Sequence, residues 1–338
     1  MRALVFHGPG NMELTQVATH PLLPGEIRIH ISLAGICGTD LRIFRGIKRV
    51  DGPRIIGHEF FGTISEIGPG VTGYDLGERV VVYPIIACGH CYACQAGREN
   101  ICVNRRTLGY EIDGGFAEYV TVPAAAVQGG NVVPVPSGVS DIAAAASEPA
   151  AAALQGVRRA GELSGRNVLV MGGGPLGVAH IQHSQLFGAN QVILSEPDEG
   201  RRDQGLRFGA DVAIHPSELA DTVTGQVDVV FIDAGIPSLV SDAIAVLRKG
   251  GKCVVFAGMP ENSPVLVDPN RIHYGEIDLV GSSGSTPQLQ AEVLRYVDEG
   301  RLDLEAVVSD VLPMDEWKRG FDMKADAAGL KVLISTGD

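Results

Sequence analysis

Positive charge is scarce in this 338-residue chain. Its 27 lysines and arginines stand against 40 aspartates and glutamates, the net charge is −13 at pH 7, and no lysine- or arginine-rich run appears. Such a surface repels phosphate backbones and anionic lipid, so neither nucleic acid nor a membrane is an expected partner. Long apolar runs are missing too. The longest, from Ile142 to Leu154, is interrupted by Glu148 and Pro149 and cannot span a bilayer. The first nine residues lack the apolar core of a signal peptide, so the expectation is a soluble cytoplasmic protein. Aromatic residues make up only 5%, whereas 44 glycines imply many tight turns. Thiols stay reduced in the cytoplasm, so clustered cysteines there point to metal rather than to disulfides.

The richest stretch runs from Asn167 to Glu196. Asn167–Met171 is a short apolar run of the kind that forms a buried parallel strand. Gly172, Gly174 and Gly177 follow as G-x-G-x-x-G, with Pro175 and Leu176 between them, where a strand must turn sharply into a helix. Backbone N–H groups at that helix start are suited to a pyrophosphate. Gln191–Ser195 reads as the next strand, and Glu196 at its end lies 22 residues beyond Gly174, where an acid accepts hydrogen bonds from an adenosine ribose. A dinucleotide is the expected ligand. Glu196 favours NAD, since a carboxylate there repels the 2′-phosphate of NADP; Arg201 and Arg202 close behind weaken that preference, and Arg201 is a candidate to pack on the adenosine.

Upstream of this region the texture is different. Ile27, Ile29, Ile31 and Leu33 alternate with polar residues as in a half-buried strand, and similar short runs at 61–68, 79–83 and 115–122 suggest a small, mostly antiparallel β domain. Ser140–Asp141 is placed to cap an alanine-rich helix, and Pro149 suits the first turn of another. Beyond Asn167, six strands (167–171, 191–195, 212–215, 228–233, 252–257 and 277–282) alternate with helical segments, the pattern of a doubly wound parallel sheet. Gly250–Gly251 reads as a helix-to-strand turn. His180 and His183, three apart on the helix after the glycines, are expected on a solvated face.

Two sets of residues point to metal. Cys88, Cys91, Cys94 and Cys102 are spaced to close a tetrahedral zinc site with no open position; an iron–sulfur cluster is the alternative, and the fourth-cysteine spacing argues against it. Such a site would be structural, with His90 only a turn residue, and Cys253 reads as a buried core thiol. Cys37, His58 and Glu59, with Glu148 as a further acid, supply S, N and O donors that would leave a zinc ion one position for substrate. Asp40 is placed to fix the tautomer of His58, and Thr39 to pass on a hydroxyl proton. Ile43, Phe44, Phe116 and Met259 are candidates for positions near the zinc, although apolar loop residues are more often simple packing.

Taken in order, Gly35-Ile-Cys-Gly-Thr-Asp40, Gly57-His-Glu-Phe-Phe-Gly62, the four-cysteine loop, Asp113-Gly-Gly-Phe-Ala-Glu-Tyr119 and the glycines at 172–177 resemble the zinc-dependent medium-chain alcohol and polyol dehydrogenases along essentially the whole chain. The resemblance implies a GroES-like catalytic domain over 1–148 and 287–338 and a Rossmann domain over 149–286. It also implies two zincs per chain, a catalytic one on Cys37, His58 and either Glu59 or Glu148, and a homodimer or homotetramer joined through the late Rossmann strand. Glu59 and the Glu148–Pro149 pair are similar to the sorbitol and polyol branch. The threonine dehydrogenases carry a histidine two places after the motif aspartate, where this chain has Arg42. The expectation is therefore an NAD- and zinc-dependent dehydrogenase of a small-molecule secondary alcohol: a polyol, sugar or cyclitol. An amino-alcohol dehydrogenase and a biosynthetic ketoreductase of the same family remain open, as does a non-catalytic NAD-binding sensor.

Overall fold

A computed structural model describes residues 1–337. The chain divides into two compact units: Met1–Glu148 with Thr286–Asp338, and Pro149–Ser285.

In the first unit a seven-stranded sheet is built around Ile27–Gly35. On one side it pairs antiparallel with Glu59–Ile67, which is followed by Arg79–Val82 and Val132–Pro134. On the other it pairs antiparallel with Lys331–Ser335, which is followed by Val308–Pro313 in parallel, while Tyr119–Val122 pairs with its early part. One sheet thus joins Ile27–Gly35 to Lys331–Ser335, which makes the C-terminal strand a direct neighbour of the strand that leads to Cys37. Alternation is only part of the pattern of Ile27–Gly35, because Arg28 is buried as well. Its guanidinium meets Glu66 and the His20 carbonyl, so its desolvation is offset locally.

The second unit is a six-stranded, wholly parallel sheet. From edge to edge the strands are Val212–Ile214, Gln191–Ser195, Asn167–Met171, Val227–Ile232, Leu247–Val255 and Asp278–Gly281. This is the doubly wound order whose direction reverses beside the first strand, which places a ligand crevice at the carboxyl ends of Asn167–Met171 and Val227–Ile232. Helices begin where the sequence supplies caps: Ser140 Oγ accepts the Ala143 N–H, and Asp198 accepts the Arg201 N–H. Gly250–Gly251 departs from expectation. The residues lie inside the strand Leu247–Val255 as a bulge, where the pairing with Val227–Ile232 slips register, so no helix-to-strand turn forms there.

Candidate active site

Strand register assembles the first metal-donor set. Gly35 lies opposite Glu59, so the chain leaving one strand at Cys37 and the chain entering the other at His58 share one end of the sheet. The donor atoms of Cys37, His58 and Glu59 all lie within 4.8 Å of one another. Cys37 caps the helix Gly38–Phe44, and Asp40 one turn in accepts the Cys37 N–H at 2.8 Å. The other oxygen of Asp40 stands 3.3 Å from His58 Nδ1. Asp40 is wholly buried, and its carboxylate beside Nδ1 favours the tautomer that keeps the proton there and leaves the second ring nitrogen its lone pair. Thr39 is half-buried on the first turn of the same helix.

Charges around this set favour a cation. Burial opposes charge on His58, yet Tyr110, Asp40 and Cys37 hold its pKa well above the ordinary value. A soft sulfur, an imidazole and a carboxylate in such surroundings suit zinc. Glu148 lies outside the 4.8 Å donor group. It is half-buried, and burial followed by the charge of Glu59 pushes its carboxyl up to about 7. Glu59 has a partner the sequence did not disclose, the ammonium of Lys331, 272 residues away. Both groups are buried, and Lys331 also donates to the Ile36 carbonyl at 3.3 Å. Gly35 makes room for this pair: a Cβ there would sit 2.7 Å from Glu59 Oε2 and from Lys331 Cε.

The four-cysteine loop brings all four sulfurs within 4.8 Å of one another. Cys91 Sγ is 3.5 Å from Cys94 Sγ and 3.8 Å from Cys102 Sγ. One zinc ion at Zn–S distances of about 2.3 Å sets tetrahedral sulfurs about 3.8 Å apart, so this cage fits a single ion better than a cluster of several irons. The backbone N–H of His90 lowers the Cys88 thiol to about 6, whereas burial pushes Cys94 up to about 12. His90 itself is exposed and turns back to the Cys88 carbonyl at 2.7 Å.

In the second unit, Gly174 caps the helix Pro175–Leu186 with Pro175 at its first position and Leu176 next. Gly177 is required by contact: a Cβ there would lie 1.9 Å from the Gly172 carbonyl, so only glycine lets the helix start against the strand end. Glu196 is buried, accepting the Gly173 N–H at 2.6 Å on one oxygen and the Asp198 N–H at 3.0 Å on the other. It thereby ties the glycine turn to the end of the neighbouring strand. Arg202 donates to the Glu196 and Pro197 carbonyls, and Arg201 Cβ packs near Gly173.

The solvated face expected of two histidines is corrected, and the apolar residues resolve to packing. His180 and His183 are fully buried, not solvated, because the helix Pro175–Leu186 is enclosed from Gly177 to Ser184. His180 pairs with Asp233 at 2.8 Å and stacks on Phe231. Ile43, Phe44 and Phe116 belong to the apolar core of the first unit, where Phe44 and Phe116 meet Phe321, and Met259 packs on the core of the second. Cys253 is a core thiol, as its strand position suggested. Lys331, Tyr110, Lys48 and Asp233 went unnoticed in the sequence because each gains its meaning from a distant neighbour; only the odd lysine in an apolar C-terminal strand was a visible signal.

Comparison with known proteins agrees with this geometry. Residues 23–137 match the alcohol dehydrogenase GroES-like domain, and residues 175–299 match the zinc-binding dehydrogenase family. The chain is 33% identical to an L-threonine 3-dehydrogenase of Pyrococcus horikoshii over 99% of its own length and 98% of the relative's. It is 31% identical to a 2-dehydro-3-deoxy-L-galactonate 5-dehydrogenase of Pseudoalteromonas atlantica, covering 96% of each chain. A solved zinc-binding dehydrogenase of Sinorhizobium meliloti bound to NADP superimposes with a TM-score of 0.93 at 31% identity, over 99% of this chain and 98% of that one. The chain belongs to the zinc-dependent medium-chain dehydrogenases. It is an alcohol dehydrogenase that works with zinc and a nicotinamide cofactor, and it joins a GroES-like unit to a Rossmann unit.

Proposed function

We propose that this enzyme interconverts a secondary alcohol of a polyol, sugar or cyclitol with its ketone, using NAD and two zinc ions per chain. The observation that carries this reading is the donor set Cys37, His58 and Glu59, gathered within 4.8 Å beside the buried Asp40. Glu59 stands inside that set and Glu148 outside it, which favours Glu59 as the carboxylate donor. Cys88, Cys91, Cys94 and Cys102 would hold the second, structural zinc.

When bound, zinc supplies a Lewis acid that acidifies an alcohol, and the nicotinamide supplies a hydride acceptor. The chain's own residues do the rest. Cys37, His58 and Glu59 hold the ion; Asp40 orients His58; Lys331 fixes Glu59; Thr39 passes the substrate's hydroxyl proton outward. Gly172, Gly174 and Gly177 bring backbone N–H groups to the pyrophosphate, and Glu196 meets the adenosine ribose, with Arg201 beside it. Glu196 supports NAD over NADP, and Arg42 at the position of the threonine dehydrogenases' histidine supports a polyol over threonine. The 33% identity to a threonine dehydrogenase keeps an amino alcohol as the second reading. The reduced four-cysteine cage suits a cytoplasmic setting. Asp278–Gly281 closes the parallel sheet as an edge strand with Leu279 exposed, which suits a homo-oligomer joined along that edge.

A spectrophotometric panel of polyols, cyclitols, amino alcohols and simple secondary alcohols, run with both cofactors, tests the reading. Polyol-dependent NADH formation is expected. Turnover of threonine alone, or a clear preference for NADP, would overturn the corresponding part. For the metal, Cys37→Ser is expected to lose one of two zincs and nearly all activity while the fold persists; full activity with one zinc per chain would defeat the two-site arrangement.

A further inference from the structure

The net charge of −13 and the lack of an unbroken basic run give no expectation of a basic patch, yet residues 42–54 hold Arg42, Arg45, Lys48, Arg49 and Arg54 against the single acid Asp51. The segment directly follows the helix that bears Cys37, Thr39 and Asp40. Its N–H groups fold it back, with Ile47 and Lys48 both donating to the Arg42 carbonyl. Two of the five cations are matched, Arg49 by Asp51 and Arg54 by Asp113. Arg42, Arg45 and Lys48 have no carboxylate partner among the described residues.

Lys48 is linked to the metal donors through one aromatic ring. Its ammonium lies 3.2 Å from the centre of the Tyr110 ring, and that ring stands 5.2 Å from the His58 imidazole. Nζ is therefore no farther from His58 than those two distances laid end to end, a span of the order of a short sugar chain. Lys48 is also within electrostatic reach of Glu111, Arg105, Asp40 and Cys37. Half-burying an ammonium on an aromatic face, with negative groups near it but none in direct ion-pair contact, leaves a donor site open to an acidic ligand. A neutral polyol needs hydrogen-bond donors and acceptors in similar number, whereas Lys48 offers donors only.

We infer that the substrate carries an oxyanion, a carboxylate or a phosphate, a few atoms from the carbinol carbon, and that Lys48 binds it, with Arg42 and Arg45 drawing it in. This rests on the dehydrogenase reading above and narrows its substrate class to sugar acids or sugar phosphates. Positive side chains beside the metal donors, on a chain of net charge −13, raise the local concentration of anions there.

The test compares kcat/KM for neutral alditols with the aldonates and alditol phosphates of equal carbon number, in the zinc-loaded enzyme with NAD. At least one anionic series is expected to exceed its neutral counterpart, and only that advantage should shrink as salt is raised. Lys48→Met should lower the anionic kcat/KM by about ten- to a hundredfold, the range of one charge-assisted hydrogen bond, mostly through KM. Neutral alditols should change by less than about threefold, and Lys48→Arg should restore most of the loss. Titration of an aldonate into the enzyme–NADH complex, followed by NADH fluorescence, gives a binding readout without turnover and should weaken in parallel. Preference for the aldonate identifies the anion as carboxylate, and preference for the alditol phosphate identifies it as phosphate. Neutral alditols turned over as well as either anion, or equal losses in Lys48→Met on all substrates, would overturn the inference and leave the dehydrogenase reading intact. No oxidation of any alcohol would instead defeat that underlying reading.

Discussion

Lys331 shows how much a single side chain decides beside the Cys37, His58 and Glu59 donor set. Burial opposes its charge, but Glu59 and Cys37 raise its pKa, so it stays an ammonium locked to Glu59. Removing one member of a buried ion pair leaves the other uncompensated, at a cost of about 3–5 kcal/mol. Lys331→Met is accordingly expected to lose about 3 kcal/mol in urea denaturation; an unchanged midpoint would mean that Glu59 is neutralised elsewhere. Lys48 sets a pH limit of another kind. Burial lowers its pKa from 10.5 to about 8, with Arg105 adding to the fall and Glu111, Asp40 and Cys37 opposing it. The lysine is therefore charged below about 8 and loses its charge as pH rises through that value, well before an exposed lysine would. The ratio of anionic to neutral kcat/KM should fall above that pH and be flat in Lys48→Met. Using the ratio removes the general rise of alcohol oxidation with pH.

Among the elements, the helix Pro175–Leu186 carries the most. It starts at the glycine turn, and its enclosed middle holds His180 against Asp233, whose carboxylate is also buried. Histidines at 180 and 183 resemble a polar stripe because charge and polarity can be read from sequence and burial cannot. His180→Leu strands the Asp233 carboxylate and should cost about 3 kcal/mol, measured by thermal or urea unfolding. His180→Asn, which keeps a donor near Nδ1, should recover a large part of it. Gly177→Ala sets a methyl group against the Gly172 carbonyl and should raise the KM for NAD at least about tenfold, with kcat less affected. An unaltered KM would mean that the helix start yields freely. The four-cysteine loop is the opposite case, since its whole design was legible from spacing: four soft donors close together in sequence need no distant help to meet.

At the scale of the whole molecule, zinc should matter in two separable ways. The four-sulfur cage has no open position, whereas the Cys37 set offers three donors, so a chelator should remove the catalytic ion first. Timed dialysis against chelator is expected to abolish activity while about one zinc per chain remains, with folding lost only later. Simultaneous loss of both ions with the fold would contradict that order.

The sequence alone determined whatever depends on local order: the parallel alternation after Asn167, the glycine turn and its helix, the cysteine cage, and the residue types able to hold a second metal. These follow from backbone geometry and short spacings, which a linear chain records directly. Tertiary structure decided which groups become partners. Pairing of Ile27–Gly35 with both Glu59–Ile67 and Lys331–Ser335 brought Lys331 to Glu59, burial turned His180 from a surface residue into a core anchor, and the fold-back after Phe44 laid Lys48 on Tyr110. An ion pair or a buried charge is stable only when desolvation is met by a particular neighbour, and that neighbour is fixed by strand register rather than by distance along the chain.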